Sequence, residues 1–151
     1  MPATRLIPAT GYILRLWRWI PFFVISVLLY TPAASAGDIH DIRGALVIHI
    51  SPKGDVYNPQ GAHLGRFRTD GTYVDPRGIP VLKLGRDGSV QEPNGSRIAT
   101  FGSDHVLRDR RAVTIGRINT QGHISDPQGR RLAIAHDIPR SRAAIYWFLL
   151  R

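Results

Sequence analysis

Cysteine is absent from this chain of 151 residues. That excludes a disulfide framework, a thiolate zinc site, a thiol nucleophile and a lipid anchor on cysteine. Lysine is nearly absent, with only Lys53 and Lys83, and acids are scarce, 11 Asp and Glu against 20 Lys and Arg. No long apolar run exists. The longest, Trp19–Tyr30, covers 12 residues, holds Pro21, and falls short of the roughly 20 that a spanning helix needs. Several signatures are missing as well. There is no G-x-S-x-G elbow, no phosphate-binding G-x-x-x-x-G-K-[ST], no dinucleotide fingerprint, and no H-x-x-x-H or H-E-x-x-H metal spacing. A hydrophobic fraction of 43% and a charged fraction of 21% suit a globular protein and argue against a disordered one.

The start of the chain reads as an address. Arg5, Arg15 and Arg18 precede the apolar run, and Pro32 and the small triplet Ala34-Ser35-Ala36 lie beyond it. A basic start, a short apolar middle and an A-x-A site predict a secretory signal peptide over residues 1–36. An uncleaved anchor is the alternative. Cleavage after Ala36 would leave residues 37–151, with 17 cations, 11 acids and a charge of +6. The protein is therefore expected to be exported, periplasmic or secreted. Its remaining charges of both signs are interspersed, which is the pattern of a solvated face, so no nucleic-acid partner is expected.

A repeat of 17 residues organises the rest of the chain. Gly37, Gly54, Gly71, Gly88 and Gly122 share one register, with His105 in the missing place. Cutting before each gives six units: 36–52, 53–69, 70–86, 87–103, 104–120 and 121–137. The fourth position is always apolar: Ile39, Val56, Tyr73, Val90, Leu107, Ile124. So are the twelfth (Val47, Leu64, Val81, Ile98, Ile115, Leu132) and the fifteenth (Ile50, Phe67, Leu84, Phe101, Ile118, Ala135). The sixth is always acid or amide, and the ninth is glycine except at Ala112.

Each unit reads as a β-hairpin. A short strand surrounds the fourth position. Next comes a turn such as Asp75-Pro76-Arg77-Gly78, in which Asp suits the first place, Pro presets φ at the second and Gly accepts positive φ at the fourth. A longer strand covers positions ten to sixteen, and Asp-Gly pairs such as Asp70-Gly71 join units by tight reversals. The apolar spacing of three inside the longer strand breaks strict alternation, so a bulge or bend is expected beside Gly65 and Gly116. One such hairpin cannot bury its own apolar face. Six units without capping segments predict an all-β fold closed into a ring. The tail, residues 138–151, includes the apolar segment Ala143–Leu150 and is expected to dock on the ring or fill its centre as a short helix or a final strand. The shorter strands fall below the 9–11 residues that a membrane-spanning barrel uses.

The pattern Asp-Gly-x-apolar-x-Asp-Pro-x-Gly-x-x-apolar resembles the bacterial β-flower proteins, small rings of radial hairpins with four-fold or five-fold pseudo-symmetry. The resemblance covers about residues 37–137 and implies a flower-like ring; it implies no activity. Two units depart from it: 104–120 has Arg110-Arg111-Ala112 in place of Pro-x-Gly, and 36–52 lacks the proline. The number of blades is therefore left open.

Candidate sites are few. His40, His49, His63, His105, His123 and His136 occupy six different register positions, so a ring would scatter them, and no metal site is expected. The acidic column at position six serves turns before it serves calcium. Position fourteen reads His49, Arg66, Lys83, Thr100, Arg117, Ile134 and could form a partial basic ring for an anion, with a solvated outer face as the plain alternative. Arg108, Arg110 and Arg111 make a second basic cluster in the irregular turn. No catalytic residue and no cofactor is expected. The function indicated is an exported, non-catalytic binding or structural module of the bacterial envelope, its partner an anionic envelope polymer or another envelope protein, touching the membrane only through the signal peptide. The alternatives are a small envelope hydrolase using His105 with Asp104 or Asp109, and a toxin-associated interaction domain.

Overall fold

The structure is a computed structural model in which residues 36–151 are described; the expected signal peptide, apart from Ala36, lies outside the described residues. Twelve strands follow, alternating short and long from β3 onward: β1 Gly37–Asp41, β2 Leu46–Ile50, β3 Asp55–Tyr57, β4 His63–Phe67, β5 Thr72–Val74, β6 Pro80–Leu84, β7 Ser89–Gln91, β8 Arg97–Phe101, β9 Val106–Asp109, β10 Thr114–Ile118, β11 His123–Ser125 and β12 Arg131–His136. Each pairs antiparallel with its sequence neighbours, and β1 pairs with β12, so the sheet closes. Six hairpins form the ring, which answers the question of blade number. A short helix α1, Arg140–Ile145, continues as a wider π-helical turn, Tyr146–Leu150.

The repeat explains the register. Position four pairs across its own hairpin with position thirteen, as in Val56 with Gly65 and Tyr73 with Leu82, and across the unit junction with position fifteen, as in Phe67 with Tyr73. These three columns carry most of the core. Position four is fully or almost fully buried in all six units. Every hairpin shifts register just after position four, where the longer strand holds one extra residue. A bulge of this kind puts two successive side chains on one side of the sheet. It resolves the broken alternation: position twelve is the added residue and is mostly half-buried, while Val81 stays 39% exposed. Position thirteen, which mixes Gly, Ala, Leu and Ile, is buried throughout.

The turns work as the residue types dictate. Asp41 Oδ1 accepts the N–H groups of Arg43 (2.8 Å) and Ala45 (2.9 Å), and Asp75 accepts those of Arg77 and Ile79 in the same way. The irregular unit keeps this geometry. Asp109 accepts the N–H groups of Arg111 and Val113, while Ala112 takes the glycine place at φ 63°. His105 likewise stands in for glycine at φ 61°.

The tail is a helix and it fills the ring. Twelve strands about 4.8 Å apart enclose a circle at least about 18 Å across, too wide for wall side chains alone to close. Ala143, Ala144 and Ile145 are fully buried in the same core as the strand columns. A Cβ on Gly116 would fall 2.1 Å from the Phe148 ring, so this glycine makes the space that the aromatic occupies. At one rim the Arg140 guanidinium donates to the carbonyls of Asn119 (3.2 Å) and Thr120 (3.1 Å), in a junction between units. At the other, Asp41, held below the usual carboxylate range chiefly by the Ala45 and Arg43 amides, also feels the charge of Arg151. Eleven helical residues rise about 16 Å, close to the length of a five-residue strand. The helix thus runs through the ring from the junction rim to the hairpin-turn rim.

Candidate functional site

Alternation puts position fourteen on the outer wall, opposite position three of the same hairpin. His49, Arg66, Lys83 and Arg117 lie on β2, β4, β6 and β10, with at least one strand between each pair. Neighbours in this series are therefore about 10 Å apart or more along the sheet, and the structure does not gather the four into one site. Two of them are matched across the hairpin. His49 Nδ1 is 2.7 Å from Asp38 Oδ1, and Arg66 Nε donates to Asp55 Oδ1. Lys83 and Arg117 have no ion pair among the described residues.

Asp55 and Asp126 are the two buried carboxylates among the described residues, each 7% exposed. The Arg66 side chain holds the Asp55 carboxyl below the usual range, against burial, with His63 Nε2 adding a contact at 3.4 Å. Ser51 Oγ approaches the same carboxylate and accepts the Asp55 N–H. Ser51, Asp55 and His63 do not form a nucleophilic triad, because both Ser51 and His63 address the acid and not each other.

Beside this cluster the wall opens into a cleft of about 280 Å³, lined by His63, Arg66, Arg68, Val74, Asp75, Pro76, Arg77 and Gly78. Arg68 and Arg77 carry no ion pair among the described residues. The acids around them are engaged: Asp75 with its own turn, Asp55 with Arg66, and Asp70, close enough to Arg68 to feel its charge, with the Thr72 N–H. Sequence reasoning found Arg66 and missed its companions. The signal was available: positions eleven, fourteen and sixteen of the second unit share the outer face, and position eight of the third lies beside them.

The second cluster divides. Arg108 makes two bonds to Asp104, 3.2 and 2.6 Å, which lower the pKa of that acid, whereas Arg110 and Arg111 are exposed in the β9–β10 turn. The hydrolase alternative finds no convergence here. Asp104 and His105 sit at the junction rim, and Asp109 ends β9 at the opposite rim with its carboxylate bound to turn amides. Among the described residues no group of three His, Asp or Glu side chains is placed to hold a metal ion. Comparison with known proteins finds no matching family model, no matching curated protein and no matching solved structure.

Proposed function

We propose that the protein is exported, periplasmic or secreted, and acts without catalysis as a binding module of the bacterial envelope, taking anionic groups of an envelope polymer in the cleft between β4 and the β5–β6 turn. The supporting observation is the cleft itself: three arginines and a histidine on one open face, with the carboxylates of Asp55, Asp70 and Asp75 already committed. Guanidinium forks suit carboxylate and phosphate alike. The filled ring supports the same reading, because its lumen is occupied by the protein's own helix and the outer surface is left to bind. On the shared turn pattern, membership of the β-flower proteins is part of this proposal.

The test is titration of the full chain with soluble polyphosphate and with polygalacturonate, read by calorimetry. Arg68→Gln with Arg77→Gln removes two cations that support no ion pair among the described residues. Charge-assisted bonds of this kind contribute about tenfold each, so affinity should fall about 100-fold. Equal binding by the parent and this variant removes the cleft from the reading. Intact mass of the protein from its own cells tests export, the expected species being residues 37–151.

A further inference from the structure

The two rims of the ring differ in chemistry. Five large apolar side chains are exposed among the described residues: Ile42 (66%), Leu46 (36%), Ile79 (55%), Val81 (39%) and Val113 (59%). All five lie at or beside the hairpin-turn rim, and all belong to units one, three and five. Position eight has the same alternation, with Arg43, Arg77 and Arg111 in those units and Gln60, Asn94 and Gln128 in the others. The turn rim therefore carries three prongs, each an arginine beside exposed aliphatics. At their centre the half-buried end of the helix, Trp147–Leu150, comes to the surface, with the Arg151 guanidinium 4.1 Å from the Trp147 ring centre.

Charge is divided in the same way. Positions six to eleven hold seven arginines against five carboxylates, whereas positions sixteen to two, at the junction rim, hold three cations against four carboxylates, with Arg140 of the helix as a fourth cation there. Three of the turn-rim acids, Asp41, Asp75 and Asp109, direct their oxygens to their own turn amides, and Asp126 is bonded to Arg130. The prong arginines Arg43, Arg77 and Arg111 form no ion pair within 4 Å among the described residues.

We propose that the hairpin-turn rim is a docking face for the surface of an anionic phospholipid bilayer. Three prongs around a hub define a plane across the ring axis, which suits a flat partner. Aliphatic side chains can enter the boundary between headgroups and acyl chains while arginines meet the phosphates, the combination that holds peripheral proteins on anionic membranes. A second copy of the chain fits this face poorly, since it would set arginine against arginine. The surface shares Arg77 with the wall cleft but extends across the whole rim, so the proposal goes beyond the polymer reading and its test leaves Arg77 in place.

The absence of cysteine makes the test specific. In the full chain, Val113→Cys or Ser103→Cys is labelled with an environment-sensitive fluorophore, placing one probe at the turn rim and one at the junction rim. Vesicles of phosphatidylglycerol should shift the emission of the probe at position 113 to the blue and leave that at position 103 unchanged. Arg43→Gln with Arg111→Gln imports the residue type that the alternate hairpins already carry. At about fivefold for each arginine near an anionic surface, it should weaken the response about 25-fold. The proposal is overturned if the chain sediments with vesicles while the probe at 113 stays unchanged, which would assign binding to another segment. Equal responses of both probes, or equal responses on phosphatidylcholine, overturn it too. So does the same shift with soluble polyphosphate in place of vesicles, and that outcome leaves the binding-module reading standing.

Discussion

Gly71 and Gly78 offer a controlled comparison within one hairpin. Their backbones are nearly the same, φ 86° and 84°, so alanine meets the same conformational penalty at both. That penalty is about 1–2 kcal/mol, partly offset by the smaller entropy of the unfolded alanine chain, leaving about 1 kcal/mol. The surroundings differ. A Cβ at Gly78 meets nothing within 4 Å, whereas at Gly71 it falls 2.2 Å from the Leu84 carbonyl oxygen. The Gly71 carbonyl also accepts the Leu84 N–H at 2.9 Å, a bond that extends the β5–β6 ladder of the third unit. Relieving the overlap requires the strands to part by roughly 1 Å and weakens that bond, which adds about 1–3 kcal/mol. Gly71→Ala should therefore cost about 3 kcal/mol and Gly78→Ala about 1. Urea unfolding monitored by circular dichroism measures both. Costs equal within about 0.5 kcal/mol, or in reverse order, would refute the reasoning. His105 shows what accommodation looks like: it holds the corresponding bond, from the Ile118 N–H at 3.0 Å, with φ reduced to 61°.

The irregular unit, the helix and pH give further tests. His105→Gly and Ala112→Gly relieve left-handed backbone in non-glycine residues and should each stabilise by about 0.5–1 kcal/mol in the same urea assay. Gly116→Leu should drive Phe148 from its space and expose Trp147, seen as a red shift of tryptophan emission; an unshifted spectrum contradicts the packing described. Asp41, Asp55 and Asp104 have pKa values lowered by turn amides or arginine, so their stabilisation is complete above the unfolded value near 3.8 and fades as pH falls below it. Thermal scans should be flat near pH 5–7 and decline below about pH 4. Burial raises the Tyr73 hydroxyl to about 12, so stability should also fall between pH 10 and 12, and less steeply in Tyr73→Phe.

Much of the ring was legible because each column carries one physical job. Apolar residues at position four, acid or amide at six and glycine at nine specify strand, turn and reversal independently, and six copies repeat the statement. Closure was inferred from the lack of caps. The bulge was visible only as a fault in alternation, and its consequence, the burial of position thirteen, was hidden by composition. Gly65 and Gly116 marked the bulge in the sequence, but not that they are also places where Tyr73 and Phe148 need room. The binding surface was less legible. Position fourteen resembled a ring of equivalent cations until its cross-strand partner at position three was considered. That pairing neutralises Arg66 with Asp55 and ties His49 to Asp38, while the cleft draws its cations from two different units.

Ring closure joins Asp38 in the first strand to His136 in the last, and the helix that fills the middle comes later still. Until β12 and this helix are in place, the folding chain therefore holds unsealed strand edges and an empty lumen. Five completed hairpins are an arc whose two ends can accept a strand from any neighbour, including another nascent copy. The order of the elements thus sets a window, before β12 pairs with β1, in which a strand-capping chaperone would have the most to protect.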